Sequence, residues 1–357
     1  MKNWLLIGWL VILIGSMLGA TLTKTAVQAP DYEVKVLATE KTIAAFEAIK
    51  DYRESLEISL LDPIRGRIMD PQETGMLGYW QTDITTTSGD LDAKLLSLNP
   101  AFAAMVIDML SEVGLQAHDQ VGFMASGSFP GLAIASLCAL EVTQMDYYAM
   151  VSAGASSYGA NIPELTLFDM IEVLYQEGIL TKRCDAVSFG GLDDTGHEFP
   201  SSFQTAFMSR VQTAGVPLLR PTSFEDGIHL RMDTYASHLP HMQCFINVGG
   251  HVAALGEGLS TFLDGNGLLL KTKRLYTNER GLINRYLEQQ IPVVHLIQVE
   301  NLCLEYGLSI TQEPLALKED QPLFYDSSMS LAFIITPLVL SIGIMLFVVI
   351  KKKNISR

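Results

Sequence analysis

Residues 119–135 read DQVGFMASGSFPGLAIA, and this stretch decides the fold. An alternating apolar run, Val121, Phe123 and Ala125, meets a turn of small residues, Ser126-Gly127-Ser128-Phe129-Pro130-Gly131. The helical run LAIASLCALEV follows at once. A buried strand, a tight turn and a crossover helix have this pattern. Gly127 can take backbone angles closed to other residues, and Pro130 suits a first helical turn, where its missing N–H has no partner. The turn therefore presents N–H groups and the hydroxyls of Ser126 and Ser128 at a helix N-terminus, a place that favours an anion or a developing oxyanion. In open α/β sheets ligands bind at this end of the strands. The same small residues would also serve close strand–helix packing, and GSFPG is not the GxSxG elbow of the α/β-hydrolases.

Working outward, strand and helix alternate. DYYAMVSAG reads as a second strand and ends in Ala155-Ser156-Ser157-Tyr158-Gly159-Ala160-Asn161. A helix over 165–177 closes at Gly178, and CDAVSF, 184–189, is a third strand running into Gly190-Gly191-Leu192-Asp193-Asp194-Thr195-Gly196-His197. A helix over 200–214 follows, and 216–240 reads as less regular. MQCFINV is a fourth strand entering Gly249-Gly250-His251, then come a basic edge segment over 268–274 and a helix over 279–290. IPVVHLI is the last strand, with a final helix over 298–306. Upstream, residues 23–38 read as a polar linker with a short extended piece, 40–62 and 99–113 as helices, and Thr85-Thr86-Thr87-Ser88-Gly89-Asp90 as a second hydroxyl-rich turn. Lys94 follows that turn on the incoming helix. The alternation predicts an α/β domain with a mainly parallel, Rossmann-like layered sheet and helices on both faces.

Two apolar segments bracket this domain in the 357-residue chain. Residues 4–22 carry no charge and are long enough to span a bilayer as a helix, and residues 329–350 do the same. Lys351-Lys352-Lys353 after the second and Lys2 before the first predict both termini on the cytoplasmic side. The expected arrangement is an N-terminal anchor (1–22), an extracytoplasmic α/β domain (23–328), a C-terminal transmembrane helix (329–350) and a basic cytoplasmic tail (351–357) in the cell membrane. A cleaved signal peptide is the rival reading of the first segment. All 39 acidic residues but only 19 of the 24 basic ones lie between the spans, a net charge of about −20 that repels nucleic acid. Cys138, Cys184, Cys244 and Cys303 could form up to two disulfides, but their apolar settings favour buried free thiols. No CxxC or His/Cys cluster calls for a metal, and no motif calls for a cofactor.

The predicted strand ends gather groups that could do chemistry. A serine hydrolase needs a base beside the hydroxyl, an orienting carboxylate and an oxyanion hole. The order Ser128, Asp193, His251 would serve, and so would Ser126 with His197. Asp193 and Asp194 could instead cap the turn, bind a cation or pair with Lys94. A ligand cleft would draw on Thr86, Thr87, Gly89, Lys94, Gly127, Gly131, Ser156, Ser157, Asn161, Gly190, Gly191, Asp194, Asn247, Gly249 and Gly250, with Lys94 supplying a cation to a carboxylate or phosphate. His295, inside an apolar strand, reads as a hydrogen-bonded core residue.

The series TTTSGDLDAKLLSLNPAFAA, SGSFPGLAIA, SAGASSYGAN-P-LTLFDM, SFGGLDDTG, INVGG and IPVVHLI resembles the poly-γ-glutamate system protein family, also called PgsW, over about residues 40–310. The resemblance implies a membrane-attached accessory of bacterial capsule polymer assembly, with the synthase and export components as partners and poly-γ-glutamate or a small carboxylated molecule as ligand. It carries over no catalytic residues. Three readings stay open: an accessory that grips a polymer end, a γ-glutamyl hydrolase or transpeptidase with Ser128 or Ser126 as nucleophile, and a non-catalytic structural partner of the synthase.

Overall fold

The structure is a computed structural model that describes residues 14–15, 25–256, 265–270, 281–310, 323–328, 335, 337 and 339–344. The chain forms two compact units, residues 1–30 with 324–357, and residues 31–323. In the first unit, β1 (Thr25–Gln28) pairs antiparallel with β11 (Tyr325–Ser328). Most of the predicted spans 4–22 and 329–350, and the tail 351–357, lie outside the described residues. Among the described residues no helix is long and apolar enough to cross a membrane.

The second unit holds a seven-stranded sheet. It begins with α1 (Tyr32–Ser55), α2 (Leu91–Leu96) and α3 (Phe102–Val113) and continues with β2 (Gln120–Ser126), α4 (Pro130–Val142) and β3 (Asp146–Ser152). A short hairpin of β4 (Asn161–Ile162) and β5 (Leu165–Thr166) leads to α5 (Leu167–Gln176), β6 (Ala186–Ser188), α6 (Ser201–Ala214) and β7 (Leu218–Leu219). Then come α7 (Phe224–His238), β8 (Met242–Val248), α8 (Val252–Leu255), β9 (Gly267–Leu269), α9 (Leu282–Glu288), β10 (Val293–Leu296) and α10 (Val299–Tyr306). The sheet order is β7-β6-β3-β2-β8-β10-β9, parallel throughout except for the antiparallel edge strand β9.

This order places the site. From β2 the chain builds outward through β3, β6 and β7, then returns to lay β8 on the other flank of β2. Connections therefore leave β2 and β8 in opposite directions, and a crevice opens between their carboxyl ends. Both faces are covered, as a parallel sheet requires. On one face α1 and α3 pack against α4, a helix buried almost all round. On the other, Met124, Met150 and Phe245 of the strands meet Ile228 and Tyr235 of α7 and Ile283 and Tyr286 of α9. The four cysteines are buried free thiols, and burial pushes Cys138 and Cys244 up to about 12, which leaves them protonated and unreactive.

Two elements depart from the sequence reading. The helix expected over 40–62 runs from Tyr32 to Ser55, because its first turns bury Lys35, Thr39 and Thr42 rather than an apolar stripe. Lys35 is satisfied by Asp108 and the Leu323 carbonyl. The stretch 216–240, read as irregular, contains the fifteen-residue helix α7, capped by Ser223 accepting from the Asp226 N–H. Its inward face is Gly227, Ile228, Arg231 and Tyr235, so a glycine and an arginine occupy positions where apolar periodicity is sought.

Candidate functional site

A cleft of about 630 Å³ lies over the carboxyl ends of β2, β3 and β8. Its lining joins residues far apart in sequence: Thr86, Thr87 and Gly89, Lys94, Ser126 and Ser128, Ser156, Gly191, Gly250 and His251. The start of α4, which has no side-chain cap, opens on it at Ser128 and Phe129. N–H groups at such ends favour a negatively charged ligand atom.

Backbone pairing holds the loops together. The Thr86 N–H donates to the Ala155 carbonyl at 2.8 Å and the Ser157 N–H to the Thr87 carbonyl at 2.9 Å, so the TTTSG turn runs as a strand-like strip beside residues 153–157. The Ala160 N–H reaches the Gly127 carbonyl at 2.7 Å, tying the third loop to the first two. Gly89 sits where these strips cross. A Cβ there would overlap the Ser157 carbonyl oxygen and come within 3.1 Å of Lys94 Cε and 3.2 Å of Ser156 Oγ. Gly249, at φ +86°, lets β8 turn away within reach of Ser126 Oγ.

Lys94 is the group whose role the structure changes. It is 1 % exposed, and its amine donates to the Ser128 carbonyl and, at 2.8 Å, to Ser156 Oγ, while lying 3.8 Å from the centre of the Phe129 ring. Among the described residues no carboxylate lies within ion-pair distance, and neither Asp193 nor Asp194 is its partner. Burial pulls its pKa down to about 7, with Asp90 only partly opposing. It is a poor fixed cation. It is a good proton acceptor.

The expected triads do not assemble. His251 faces Asp194, not Asp193, with Nε2 at 3.2 Å from Oδ1, and its Nδ1 accepts from the Ala253 N–H at 3.1 Å. Both ring nitrogens are spent, which leaves no lone pair for Ser128 or Ser126. Burial lowers the His251 pKa, and Asp194 only partly restores it. Asp194 is fully buried in a two-pronged ion pair with Arg231, whose second prong also reaches Ser188 Oγ at 2.8 Å. Burial works against the Asp194 charge, but Arg231 and His251 outweigh it and hold the carboxyl below its usual range. Asp193 and His197 lie on the exposed surface, where Asp193 accepts from the Thr195 N–H and hydroxyl and His197 pairs with Asp193 at 3.1 Å. With Glu198 they put ligand atoms within 4.8 Å of one another, but Glu198 already accepts the Leu192 N–H.

Other predicted residues stand behind the cleft. Asn161 holds Tyr79 by both its backbone groups and donates to Thr85 Oγ1, so it fastens a loop. Ser157 leans on the Thr87 carbonyl, Gly131 passes under Ser97, and Gly127 lies against Ala155. Gly190 lies against Ser152, and Asn247 donates to Gly249 and His295. None of these, nor Gly249, lines the cleft, whereas Gly191 and Gly250 do. Sequence reading missed Ser152, which ends β3, lines the cleft, is 1 % exposed and has a hydroxyl without a partner. Its position three residues before the small-residue loop was the available signal. It also missed Asp90 and Glu300, the two carboxylates among the described residues of the cleft wall.

His295 is the buried strand residue expected from its apolar setting, accepting from Asn247 at 3.0 Å. Burial lowers its pKa to about 4. The unfolded chain, at about 6.5, takes up this proton first. Stability is therefore full above about pH 6.5 and falls as pH drops toward 4. His251 acts in the same direction. Denaturant titrations at pH 7.5 and pH 4.5 are expected to differ by roughly 2–3 kcal/mol from His295 alone, and a His295→Leu variant is expected to lose that part of the acid sensitivity. An unchanged difference in the variant would refute the assignment.

No family model, no curated protein and no solved structure matches the chain.

Proposed function

We propose that this protein is a membrane-anchored accessory of bacterial poly-γ-glutamate synthesis, export or retention, and that its cleft holds the amino end of a γ-glutamyl chain. The family resemblance of the motifs supports the polymer, and the apolar segments 4–22 and 329–350 support anchoring beside synthase and export components. The observation that carries the binding reading is the mixed lining of the cleft. It offers donors: the start of α4, the hydroxyls of Thr86, Thr87, Ser126 and Ser128, and the unpartnered Ser152 hydroxyl. It also offers the carboxylates of Asp90 and Glu300. A glutamyl amino terminus is built to match, with a carboxylate and an amide carbonyl for the donors and an ammonium for the two acids. The body of the polymer, a polyanion, is repelled by a chain of net charge −15, which favours grip on an end over coating.

Calorimetry of the full-length protein in detergent with short γ-glutamyl oligomers tests this. Free-amine oligomers are expected to bind at least about tenfold more tightly than N-acetylated ones, the scale of one hydrogen bond to a charged group. Asp90→Asn, which keeps the helix cap, combined with Glu300→Gln is expected to erase the preference. No binding, or equal affinity for both oligomers, would sink the proposal.

A further inference from the structure

We infer that Ser156 and Lys94 form a nucleophile–base pair, so that the cleft carries out acyl transfer on an amide of the chain it holds; this rests on the γ-glutamyl reading for its substrate, but not for its chemistry. Among the described residues two nitrogen bases line the cleft, Lys94 and His251. His251 has both nitrogens engaged, one by Asp194 and one by the Ala253 N–H. Lys94 stands 2.8 Å from Ser156 Oγ, the distance for proton transfer, and among the described residues no carboxylate lies within ion-pair distance of it. Among the described residues its one other hydrogen-bond partner is the Ser128 carbonyl, and the centre of the Phe129 ring lies 3.8 Å from the buried amine. Burial brings it to about 7, where a large share is the neutral amine that a base must be.

Ser156 is placed by its neighbours. Its own N–H donates to Ser128 Oγ at 3.2 Å, which fixes the loop at the start of α4. Ser128 is thus a positioning residue, and Gly89 leaves the space in which the lysine and serine meet. Ser126 has no such base, because its hydroxyl faces Gly249 and the Ser128 N–H.

The step balances without a cofactor. Ser156 Oγ attacks the acyl carbon of the amide while Lys94 Nζ takes the hydroxyl proton. The C–N bond breaks, Lys94 returns that proton to the leaving amine, and the acyl group remains as an ester on Ser156. Water then attacks the ester for hydrolysis, or an incoming amine for transpeptidation, with Lys94 taking its proton and restoring the serine.

The test is labelling of the full-length protein in detergent with a fluorophosphonate, followed by peptide mass mapping between pH 6 and 9. A single adduct on Ser156 is expected, its rate rising through about pH 7. Lys94→Met is expected to slow labelling by about 100-fold or more, the scale of a general base, and Lys94→Arg, which cannot accept a proton, is expected to give no rescue. Ser156→Ala, close in size, should melt like the parent and take no label. No adduct on Ser156, an adduct on Ser126 or Ser128 in its place, or an unchanged rate in Lys94→Met would overturn the pair. If γ-glutamyl oligomers bind while Ser156 stays unlabelled, the pair falls and the binding reading stands. If Ser156 labels but no oligomer binds, the substrate falls and the pair stands.

Discussion

Replacing Arg231 by methionine is expected to cost about 3–5 kcal/mol of stability, the price of breaking a buried ion pair from one side. The guanidinium is 1 % exposed and serves three partners at once: the Asp194 carboxylate, Ser188 Oγ and the Gly227 carbonyl. Removing it leaves a fully buried carboxylate with His251 as its remaining ionisable neighbour. That neighbour would then take up a proton, so the His251 pKa is expected to rise in the variant. The double variant Arg231→Met with Asp194→Asn removes both charges, and asparagine tolerates the left-handed backbone that Asp194 adopts at φ +68°. It is expected to recover more than half of the loss. Thermal unfolding followed by circular dichroism measures both. A single variant within about 1 kcal/mol of the parent, well under the range for such pairs, would show that the pair does not hold the turn 190–198 against α7.

Gly89→Ala is expected to abolish ligand binding and Ser156 labelling together while leaving the sheet folded. The new methyl group would overlap the Ser157 carbonyl oxygen, which belongs to a paired strip of backbone and not to a side chain that can swing away. Overpacking of this kind costs about 1–3 kcal/mol, and the strip can relieve it only by parting from residues 153–157. That movement would carry Lys94 away from Ser156. Gly250→Ala is the contrast. It also borders the cleft, but its methyl would meet Ile297 Cδ1 at 3.5 Å, an ordinary contact, so its melting temperature is expected to match the parent. Calorimetry and fluorophosphonate labelling of Gly89→Ala, read beside its circular dichroism spectrum, decide the matter. Retained labelling would mean that the loops tolerate separation.

The layered α/β fold was legible because its signals are local. Strand β8, expected over MQCFINV, has those bounds, and the turn after β2 leads into the cleft as its glycines and helix-starting proline imply. What stayed hidden was set by contacts between distant residues. Two adjacent aspartates look alike in sequence, yet one faces water and its neighbour sits sealed under α7, because a left-handed residue at 194 reverses the chain between them. Lys94 reads as a cation from its residue type, and only its burial beneath Phe129 makes it a base. Helix α7 carried no apolar stripe, since the position that would complete one is the arginine that pairs with Asp194.

The position of β2 also bears on how the molecule is made. Its two hydrogen-bonding partners arrive at very different times, β3 within about two dozen residues and β8 only after more than a hundred. A growing chain that has reached β6 or β7 can assemble half a sheet, but the strand destined for its middle still has an open, apolar flank. Closing a loop of that length is slow relative to local pairing, so an open edge of this kind is the most vulnerable surface of the nascent protein to strand-to-strand aggregation. Arrival of β8 closes the edge and, in the same event, brings Gly249, Gly250 and His251 over Ser126. The cleft is therefore completed late: its loops 86–94, 126–129 and 152–156 are made first, and the wall at 250–256 and 297–301 is added only with β8 and β10.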